Sequence, residues 1–362
     1  MKLIQIYHKA LAKEDLTTEE ALLMYKEAPL AKLLFIGNEL RKKAKNNSKN
    51  VGWIIDRNVN LSNVCIAGCK FCNFYRKITD PDTYVTKIEE YRTKIEELFR
   101  LGGNQLLLQG GLHPKLKLDF YKNLFSELKK EFPSIKLHAL GPAEIHHLAR
   151  MEKLTYKEIL TELIEAGLDS LPGAGAEILS DRVRKIVSPG KCTSQQWLSV
   201  MQQAHILDIP TSATMMFGFI ETSKERIEHL ISIRDLQAQK PEYSKGFITF
   251  IPWVYQSEDT ILKKLYPNIE PISTIEYLRI IAISRIILNN IENIQASWLT
   301  VGKEAGQMSL YAGANDFGSI MIEENVVSSA GANYQFDEAG IKNAITEAGF
   351  IPKRRNQKYE FI

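Results

Sequence analysis

The feature that most constrains the fold of this chain is a regular alternation of short apolar runs with longer amphipathic segments. The apolar runs predict strands at 53–61, 106–109, 135–140, 168–171, 211–217, 246–253, 293–298 and near 315–321. The amphipathic segments predict helices at 87–101, 117–131, 154–166, 177–187, 194–207, 222–239, 274–290 and 303–311. Strand–helix units repeated about eight times favour an α/β protein with a parallel (β/α)8 barrel of the TIM type over an open sheet.

Residues outside this alternation predict an extension at each end of the barrel. Thr17-Thr-Glu-Glu20 has the spacing of a capping box, which predicts a helical region from there to about Lys45. We therefore expect an N-terminal helical extension over residues 1–50 and the barrel over residues 51–330. Residues 331–362 are expected to form a C-terminal helix and a basic tail that pack on the barrel.

The charge balance argues against partners that bind through a strong electrostatic field. The chain has 46 Lys and Arg against 43 Asp and Glu, a net charge of +3, so we expect no nucleic-acid partner. Two basic runs, Arg41–Asn50 and Lys353–Lys358, are interpreted as solvated surface or tail. We expect no membrane span, because Arg279 and Arg285 interrupt the most apolar segment well short of about 18 residues.

Three of the four cysteines, Cys65, Cys69 and Cys72, fall in one short loop after the first predicted strand. The first residues show no secretory pattern, so we expect a cytoplasmic protein whose thiols stay reduced. Such a cysteine group indicates a metal or redox centre rather than a disulfide. Three thiolates suit a four-iron cluster with one open iron. A zinc site would need a fourth ligand, such as Cys192 or a histidine. Otherwise we assign Cys192 no role.

Polar residues and glycines gather where the predicted strands end. In a parallel barrel these ends meet on one face, where active sites form. The residues are Gln109-Gly110-Gly111, Gly141-Pro142, Pro172-Gly173-Ala174-Gly175, Gly218 and Gln295. Any helix start needs a turn, so one such loop means little, but five on the same face indicate a site.

The cysteine loop resembles the signature of the radical S-adenosylmethionine (SAM) enzymes, C-x3-C-x-aromatic-C, here Cys65, Cys69, Phe71 and Cys72. The resemblance implies that the cysteines bind a [4Fe–4S] cluster whose fourth iron takes SAM, with Phe71 beside the cofactor. It also implies a 5′-deoxyadenosyl radical that removes a hydrogen atom from a small-molecule substrate. The electron would come from a donor such as flavodoxin or ferredoxin.

Other residues correspond to positions that bind SAM in the family it resembles. Gln109-Gly110-Gly111 stands where Gly-Gly-Glu is usual, so backbone carbonyls are expected to hold the SAM amino group. Met216 lies in a fifth-strand pattern that supports the adenine, although only Gly218 and Glu221 match that pattern. Glu177 is expected at the SAM ribose, and an acid at a helix N-terminus is the alternative.

Longer segments narrow the resemblance to the cyclases of the futalosine route to menaquinone. The segments are DRNVNLSNVCIAGCKFCNFYR, LLLQGGLHP, LDSLPGAGAEIL, ATMMFGFIET, FIPW, NIQASW and GANDFGSIMIEENVV. This implies ring closure of dehypoxanthinyl futalosine, by hydrogen abstraction at ribose C4′ and addition of that carbon to the benzoate ring. Sister enzymes that make aminofutalosine or a deazaflavin chromophore share several segments and stay alternatives, as does a non-catalytic metal-binding protein.

The implied substrate needs partners for a carboxylate and for ribose hydroxyls. Arg57 is expected to bind the benzoate carboxylate, and Arg76 is the alternative. Asn315 is expected to bind the ribose, together with Asp316, at a strand end flanked by glycine. A turn is the plainer interpretation of this Asn-Asp pair.

The implied reaction also needs a base for the ring proton. Asp316 is our candidate for this catalytic role, and the sequence leaves His138 and Glu144 open as alternatives. His138 alternates along a predicted strand, so it equally suits a hydrogen-bonded histidine in the barrel interior.

Overall fold

The computed structural model describes residues 2–332 and 334–362. Its helices are α1 (Lys2–Leu11), α2 (Thr18–Glu27), α3 (Leu30–Ala44), α4 (Ile88–Arg100), α5 (Leu118–Glu131), α6 (Pro142–Glu152), α7 (Tyr156–Glu165), α8 (Asp181–Val187), α9 (Ser194–Ile206), α10 (Ser223–Ala238), α11 (Ile261–Leu265), α12 (Thr274–Ile287), α13 (Trp298–Val301), α14 (Lys303–Ala312) and α15 (Glu338–Glu347). Its strands are β1 (Asn50–Ile54), β2 (Asp56–Asn60), β3 (Gln105–Gln109), β4 (Lys136–Ala139), β5 (Thr211–Phe217), β6 (Phe247–Val254), β7 (Asn293–Ile294), β8 (Asp316–Ser319) and β9 (Ile351–Arg354).

The strands form three parallel sheets in the orders β8-β1-β9, β2-β3-β4 and β5-β6-β7. Every pairing between these strands is parallel, with helices in the connections, which confirms the α/β prediction. Single parallel bridges join the sheets to one another: His138 to Ser170, Leu171 to Thr211, and Gln295 to Asp316. The strand predicted at 168–171 is therefore present only as two bridged residues.

Apolar residues of the strands pack outward against the helices. On β3, Leu106 and Leu108 are completely buried, while Leu107 faces the other side of the strand. Helix α4 covers this region with Tyr91, Ile95 and Leu98 on one face. Burying a Leu-sized side chain contributes roughly 1.5–3 kcal/mol, so this packing fixes which face of each strand points inward.

Several predicted boundaries were wrong for local reasons. The helical region from Thr17 to Lys45 is broken, because Pro29 holds Ala28 in an extended conformation. Helix α6 was not predicted at all, although Pro142 stands in its first turn and Glu144 caps it by accepting from the Gly141 amide. The helix predicted from residue 177 begins only at Asp181.

The N-terminal helices pack on the outside of the sheets. The predicted capping box is present, with the Thr17 hydroxyl accepting from the Glu20 amide and the Glu20 carboxylate accepting from the Thr17 amide. Helix α3 packs against α12 and α14. A buried hydrogen-bond network joins α2 to α10 and α12, because Arg226 of α10 hydrogen-bonds to Tyr25 of α2 and to Glu276 of α12. Among the described residues, no helix combines the length and hydrophobicity needed to cross a bilayer.

The interpretation of Lys353–Lys358 as solvated surface or tail is wrong for the buried Arg355, whereas Lys353 and Lys358 are exposed. Strand β9 pairs with β1 in register from Asn50–Ile351 to Trp53–Arg354. The chain then turns inward, and Arg355 is only 4% exposed. The buried guanidinium of Arg355 forms an ion pair with Asp316. The residues around Arg355 in the sequence give no sign of this partner, because Asp316 lies in a distant segment.

Candidate active site

A cavity of about 400 Å³ lies between the three sheets, from the cysteine loop to the end of the chain. Alternate residues of the neighbouring strands β2 and β3 line one wall: Asp56, Asn58, Asn60, Gln105, Leu107 and Gln109. The strand-end residues Gly110, Gly111, Gly175 and Gln295 also line it. Three of the five predicted strand-end loops therefore contribute to the cavity, whereas Gly141, Pro142 and Gly218 do not line it.

The cysteine loop is held by backbone hydrogen bonds and by two close glycine contacts. The Cys65 amide donates to the Arg76 carbonyl at 3.0 Å, and the Ile66 amide donates to the Leu112 carbonyl at 3.1 Å. The Cα atoms of Gly111 and Gly190 approach the loop so closely that a side chain at either position would collide with it. The connection from α8 to α9 is thereby brought beside the cysteines.

The three thiols line one end of the cavity, and Cys65 accepts two backbone hydrogen bonds. Cys65 Sγ accepts from the amides of Ala67 at 3.4 Å and Leu112 at 3.2 Å. Burial raises the pKa of the Cys72 thiol, and the nearby backbone of Tyr75 and Phe74 acts in the opposite direction. Amide donors aimed at sulfur stabilise a thiolate and are typical of iron–sulfur ligands.

The donor set fits a metal cluster. Burial raises the pKa of the Cys69 thiol to about 12, so a bound cation is needed to keep it a thiolate at neutral pH. All four cysteines are free of disulfides. Among the described residues, no group of three or more His, Cys, Asp or Glu side chains is arranged closely enough to hold a metal ion as it stands. Cys65, Cys69 and Cys72 line one cavity, so three sulfur donors face the same space.

A charged pair lies next to the cysteines. Lys191 Nζ donates to Glu177 Oε1 at 2.6 Å and lies 5.5 Å from the centre of the Phe71 ring. Burial alone would lower the pKa of Lys191, but the neighbouring Cys69 and Glu177 raise it. Glu177 has φ +44°, a strained conformation that typically costs about 1–3 kcal/mol and often marks a functional position. It is 4% exposed, and its Oε2 has no hydrogen bond within the described part of the chain.

The predicted cofactor residues are brought together with one exception. Phe71, Gln109, Gly110, Gly111 and Glu177 all line the cavity together with the three cysteines. Glu177 precedes α8 rather than opening it, so the helix-dipole interpretation does not apply. The Met216 side chain does not line the cavity, and this residue instead hydrogen-bonds through its amide to the Glu177 carbonyl at 3.0 Å.

The predicted substrate residues are not brought to the cavity, which corrects that interpretation. Arg57 lies on the opposite face of β2 from Asn58 and forms ion pairs with Glu97 and Glu323. Asn315 and Asp316 line a second cavity of about 210 Å³. Alternation explains the error for Arg57, because successive residues of a strand point to opposite faces.

Asn315 and Asp316 already have buried partners. Asn315 Oδ1 accepts from Arg285 at 2.6 Å. The Asp316 carboxylate accepts two hydrogen bonds from Arg355, at 2.5 and 2.9 Å. Both residues therefore support the structure beneath the cavity, and substrate contacts must come from other side chains.

Sequence reasoning left His138 open and missed several other residues that line the cavity. His138, which the sequence left open, faces it and shares a 2.7 Å hydrogen bond between Nδ1 and Ser170 Oγ. Burial lowers the pKa of His138 to about 4, so its ring is neutral at physiological pH. Lys191 and the C-terminal residues Arg355, Gln357 and Tyr359 were not predicted, and the clustered basic residues near the end were the only available signal.

Replacing Gly111 by alanine is expected to displace the cysteine loop. The added methyl group would lie 2.3 Å from the Val64 carbonyl oxygen and 2.5 Å from Cys65 Cβ. Such overpacking typically costs about 1–3 kcal/mol, so iron bound per chain should fall severalfold after reconstitution. Gly110→Ala is the matched control, because its methyl group would meet only the Leu61 side chain, at 3.2 Å. Equal iron content in the two variants would contradict this account of the loop.

Family models match most of the chain. The radical SAM superfamily model matches residues 59–233, and the CofH/MqnC C-terminal region matches residues 244–362. The cyclic dehypoxanthine futalosine synthase of Streptomyces coelicolor is 42% identical over 99% of this chain and 88% of that protein. The chain belongs to the radical SAM superfamily.

Further relatives place the chain within that superfamily. The cyclic dehypoxanthine futalosine synthase of Halalkalibacterium halodurans is 40% identical over all of this chain and 95% of that protein. A 5-amino-6-(D-ribitylamino)uracil–L-tyrosine 4-hydroxyphenyl transferase of Methanosarcina mazei is 38% identical over 95% of this chain and 90% of its own length.

Solved structures confirm the radical SAM fold. Methylornithine synthase superposes with a TM-score of 0.73 over 96% of this chain and 97% of that one, at 15% identity. The hydrogenase maturase HydG of Carboxydothermus hydrogenoformans gives a TM-score of 0.73 over 99% of this chain and 80% of that one, at 18% identity. Radical SAM enzymes use a [4Fe–4S] cluster and SAM, and Cys65, Cys69 and Cys72 provide the three thiols expected for the cluster.

Proposed function

We propose that this protein converts dehypoxanthinyl futalosine to cyclic dehypoxanthinyl futalosine in menaquinone biosynthesis. The observation that carries the proposal is full-length similarity, at 40–42% identity, to two proteins named for the synthesis of that product. We also propose that the three sheets form one eight-stranded parallel barrel, joined by the single bridges and by the direct continuation of β1 into β2. The free thiols suit a cytoplasmic enzyme.

The reaction is an oxidative ring closure. Ribose C4′ loses a hydrogen atom, and the resulting carbon radical forms a C–C bond to the benzoate ring. The adduct then gives one proton to a base and one electron to a one-electron acceptor, for which the oxidised cluster would serve, and the aromatic ring is restored. The bound cofactors supply the radical that takes the first hydrogen atom, at the cost of one SAM, and an external donor such as flavodoxin or ferredoxin supplies the electron that starts the cycle.

The residues around the cysteines suit the binding of SAM. The backbone of Gly110 and Gly111 lines the cavity beside Cys65 and leaves carbonyl groups available for an ammonium group. Glu177 Oε2 makes no hydrogen bond within the described residues, although Arg184 lies 4.0 Å from it, and this oxygen suits a ribose hydroxyl. Lys191 holds this buried carboxylate in place through an ion pair of 2.6 Å, and such a partner offsets part of the cost of burying a charge.

His138 is better placed than Asp316 to accept the ring proton. It is neutral, it lines the cavity, and it is oriented by Ser170 on the neighbouring bridge. When Nδ1 carries the proton and donates to Ser170 Oγ, Nε2 has a free lone pair. A weak base suffices here, since a ring radical that rearomatises gives up its proton readily.

Aromatic residues form the part of the wall nearest the substrate ring in this proposal. Trp253, Trp298, Phe74 and Tyr75 all line the cavity. Aromatic rings stack on a benzoate and exclude water from a reactive radical. The position of the two tryptophans at the cavity supports this role over packing alone.

The rival function is that of the Methanosarcina relative, which joins other substrates. Two parallel anaerobic reactions of the reconstituted enzyme distinguish them: one with dehypoxanthinyl futalosine, the other with tyrosine and 5-amino-6-(D-ribitylamino)uracil. The proposal predicts a product two hydrogens lighter than the substrate in the first reaction only. Turnover in the second reaction alone would assign the chain to the transferase.

A further inference from the structure

The last residues of the chain form a small hairpin that closes one end of the cavity. We call residues 354–362 the C-terminal hairpin. The Asn356 amide donates to the Glu360 carbonyl and the Ile362 amide to the Arg354 carbonyl, both at 2.9 Å. Arg355 and Phe361 form an antiparallel bridge. The hairpin continues β9 and is therefore fixed to β1 at its base.

Alternate side chains of the C-terminal hairpin face the cavity. Arg355, Gln357 and Tyr359 all line it. The Tyr359 ring stacks on Arg355, with the guanidinium carbon 3.6 Å from the ring centre. Arg355 is in turn fixed by Asp316, so the hairpin forms a rigid floor to the cavity.

Two side-chain amides that line the cavity, one on β2 and one in the C-terminal hairpin, have oxygen atoms without partners among the described residues. Gln357 Oε1 and Asn58 Oδ1 are buried, and neither has a hydrogen bond within residues 2–332 and 334–362. Asn58 is 4% exposed and lies on β2 with its side chain in the cavity. A buried polar atom without a partner costs about 1–3 kcal/mol. Both amides therefore point to a ligand that brings its own hydrogen-bonding groups.

The charges of the floor favour hydroxyl groups over a carboxylate. Among the described residues that line the cavity, Arg355 and Lys191 are the cations other than histidine. Each is already neutralised, Arg355 by Asp316 and Lys191 by Glu177. Asp56 adds a further acid to the floor, and burial raises its pKa. A substrate carboxylate would find no free cation there, whereas amides accept from hydroxyls and donate to them.

We propose that Gln357 and Asn58 bind the ribose hydroxyls of the substrate. The C-terminal hairpin would then determine which arrangement of hydroxyl groups the enzyme accepts at that end of the substrate. This assignment rests on the proposed function. It places the hydroxyl-bearing end of the substrate at the floor and its aromatic ring nearer to Trp253 and Trp298. The hairpin is thus a specificity element in addition to an edge strand.

The test measures substrate binding directly, by calorimetric titration of dehypoxanthinyl futalosine into the reconstituted enzyme with SAM. Gln357→Ala is expected to raise the Kd about tenfold, the effect of one lost hydrogen bond of about 1.4 kcal/mol. Cluster absorbance and iron content should not change. Lys358→Ala is the matched control, because its side chain is exposed on the same turn and should leave the Kd unchanged.

Substrate analogues that lack one ribose hydroxyl each show whether the contact is direct. For one analogue, wild type should bind about tenfold more weakly, and Gln357→Ala should then cause no further loss. A Kd for Gln357→Ala equal to that of the control, or losses that add for every analogue, would overturn the floor assignment while the proposed function stands. No binding of dehypoxanthinyl futalosine to wild type would instead overturn the proposed function, and the floor assignment with it.

Discussion

Replacing Cys72 by alanine is expected to abolish formation of 5′-deoxyadenosine and to remove most of the bound iron. A cluster with three protein ligands cannot lose one and keep its site. The effect should be specific, because Cys72 is partly exposed in a loop and contributes little to the apolar core. We expect normal circular dichroism together with lost visible absorbance.

Cys192→Ala provides the matched control for this prediction. Cys192 is 3% exposed, but Arg184 hydrogen-bonds mainly to its backbone carbonyl, at 2.6 and 2.9 Å, and alanine keeps those bonds. The control should retain its iron and its SAM cleavage. Formation of 5′-deoxyadenosine by the Cys72→Ala variant at the rate of this control would contradict the assignment of the cluster ligands.

Replacing Arg355 by alanine is expected to destabilise the whole protein by about 3–5 kcal/mol, because the Asp316 carboxylate would remain buried without its partner. Burial alone would lower the pKa of Arg355, but Asp316 more than offsets this and raises it. The ion pair between Arg355 and Asp316 also requires a glycine at position 52, because a Cβ atom there would lie 2.3 Å from the Asp316 carboxylate. The midpoint of urea unfolding of the cluster-loaded protein measures the change.

A double variant tests whether the loss comes from the pair. Arg355→Met combined with Asp316→Asn removes both charges and should recover much of the stability lost by Arg355→Ala. Lys353→Ala, an exposed position on β9, should change stability by less than about 0.5 kcal/mol. If Arg355→Ala unfolds at the same urea concentration as Lys353→Ala, the ion pair does not hold the C-terminal hairpin in place.

The parts of the site that follow local rules were predictable from the sequence. The spacing of Cys65, Cys69 and Cys72 specifies a ligand loop whatever surrounds it. The loop after β3 is likewise set by the end of the strand and by Gly110 and Gly111. Both features depend on residues that are close together in the chain, and the structure places them in one cavity.

The substrate residues were not predictable because they depend on contacts between distant segments. The Asn-Asp sequence at 315–316 resembles a strand-end site, but Arg285 and Arg355, from other parts of the chain, occupy both side chains. Arg57 is one residue out of phase with the strand face that lines the cavity. Gln357 lies in a run dominated by basic residues, and only the pairing of β9 with β1 brings it inside.

The most direct test of the central claim is the fate of the ribose C4′ hydrogen. The reconstituted enzyme would be supplied with SAM, a reductant and dehypoxanthinyl futalosine deuterated at C4′, and the products analysed by mass spectrometry. The proposed function predicts 5′-deoxyadenosine carrying one deuterium, formed in step with a cyclic product that has lost that deuterium and one ring hydrogen. Unlabelled 5′-deoxyadenosine, with the substrate recovered unchanged, would contradict it.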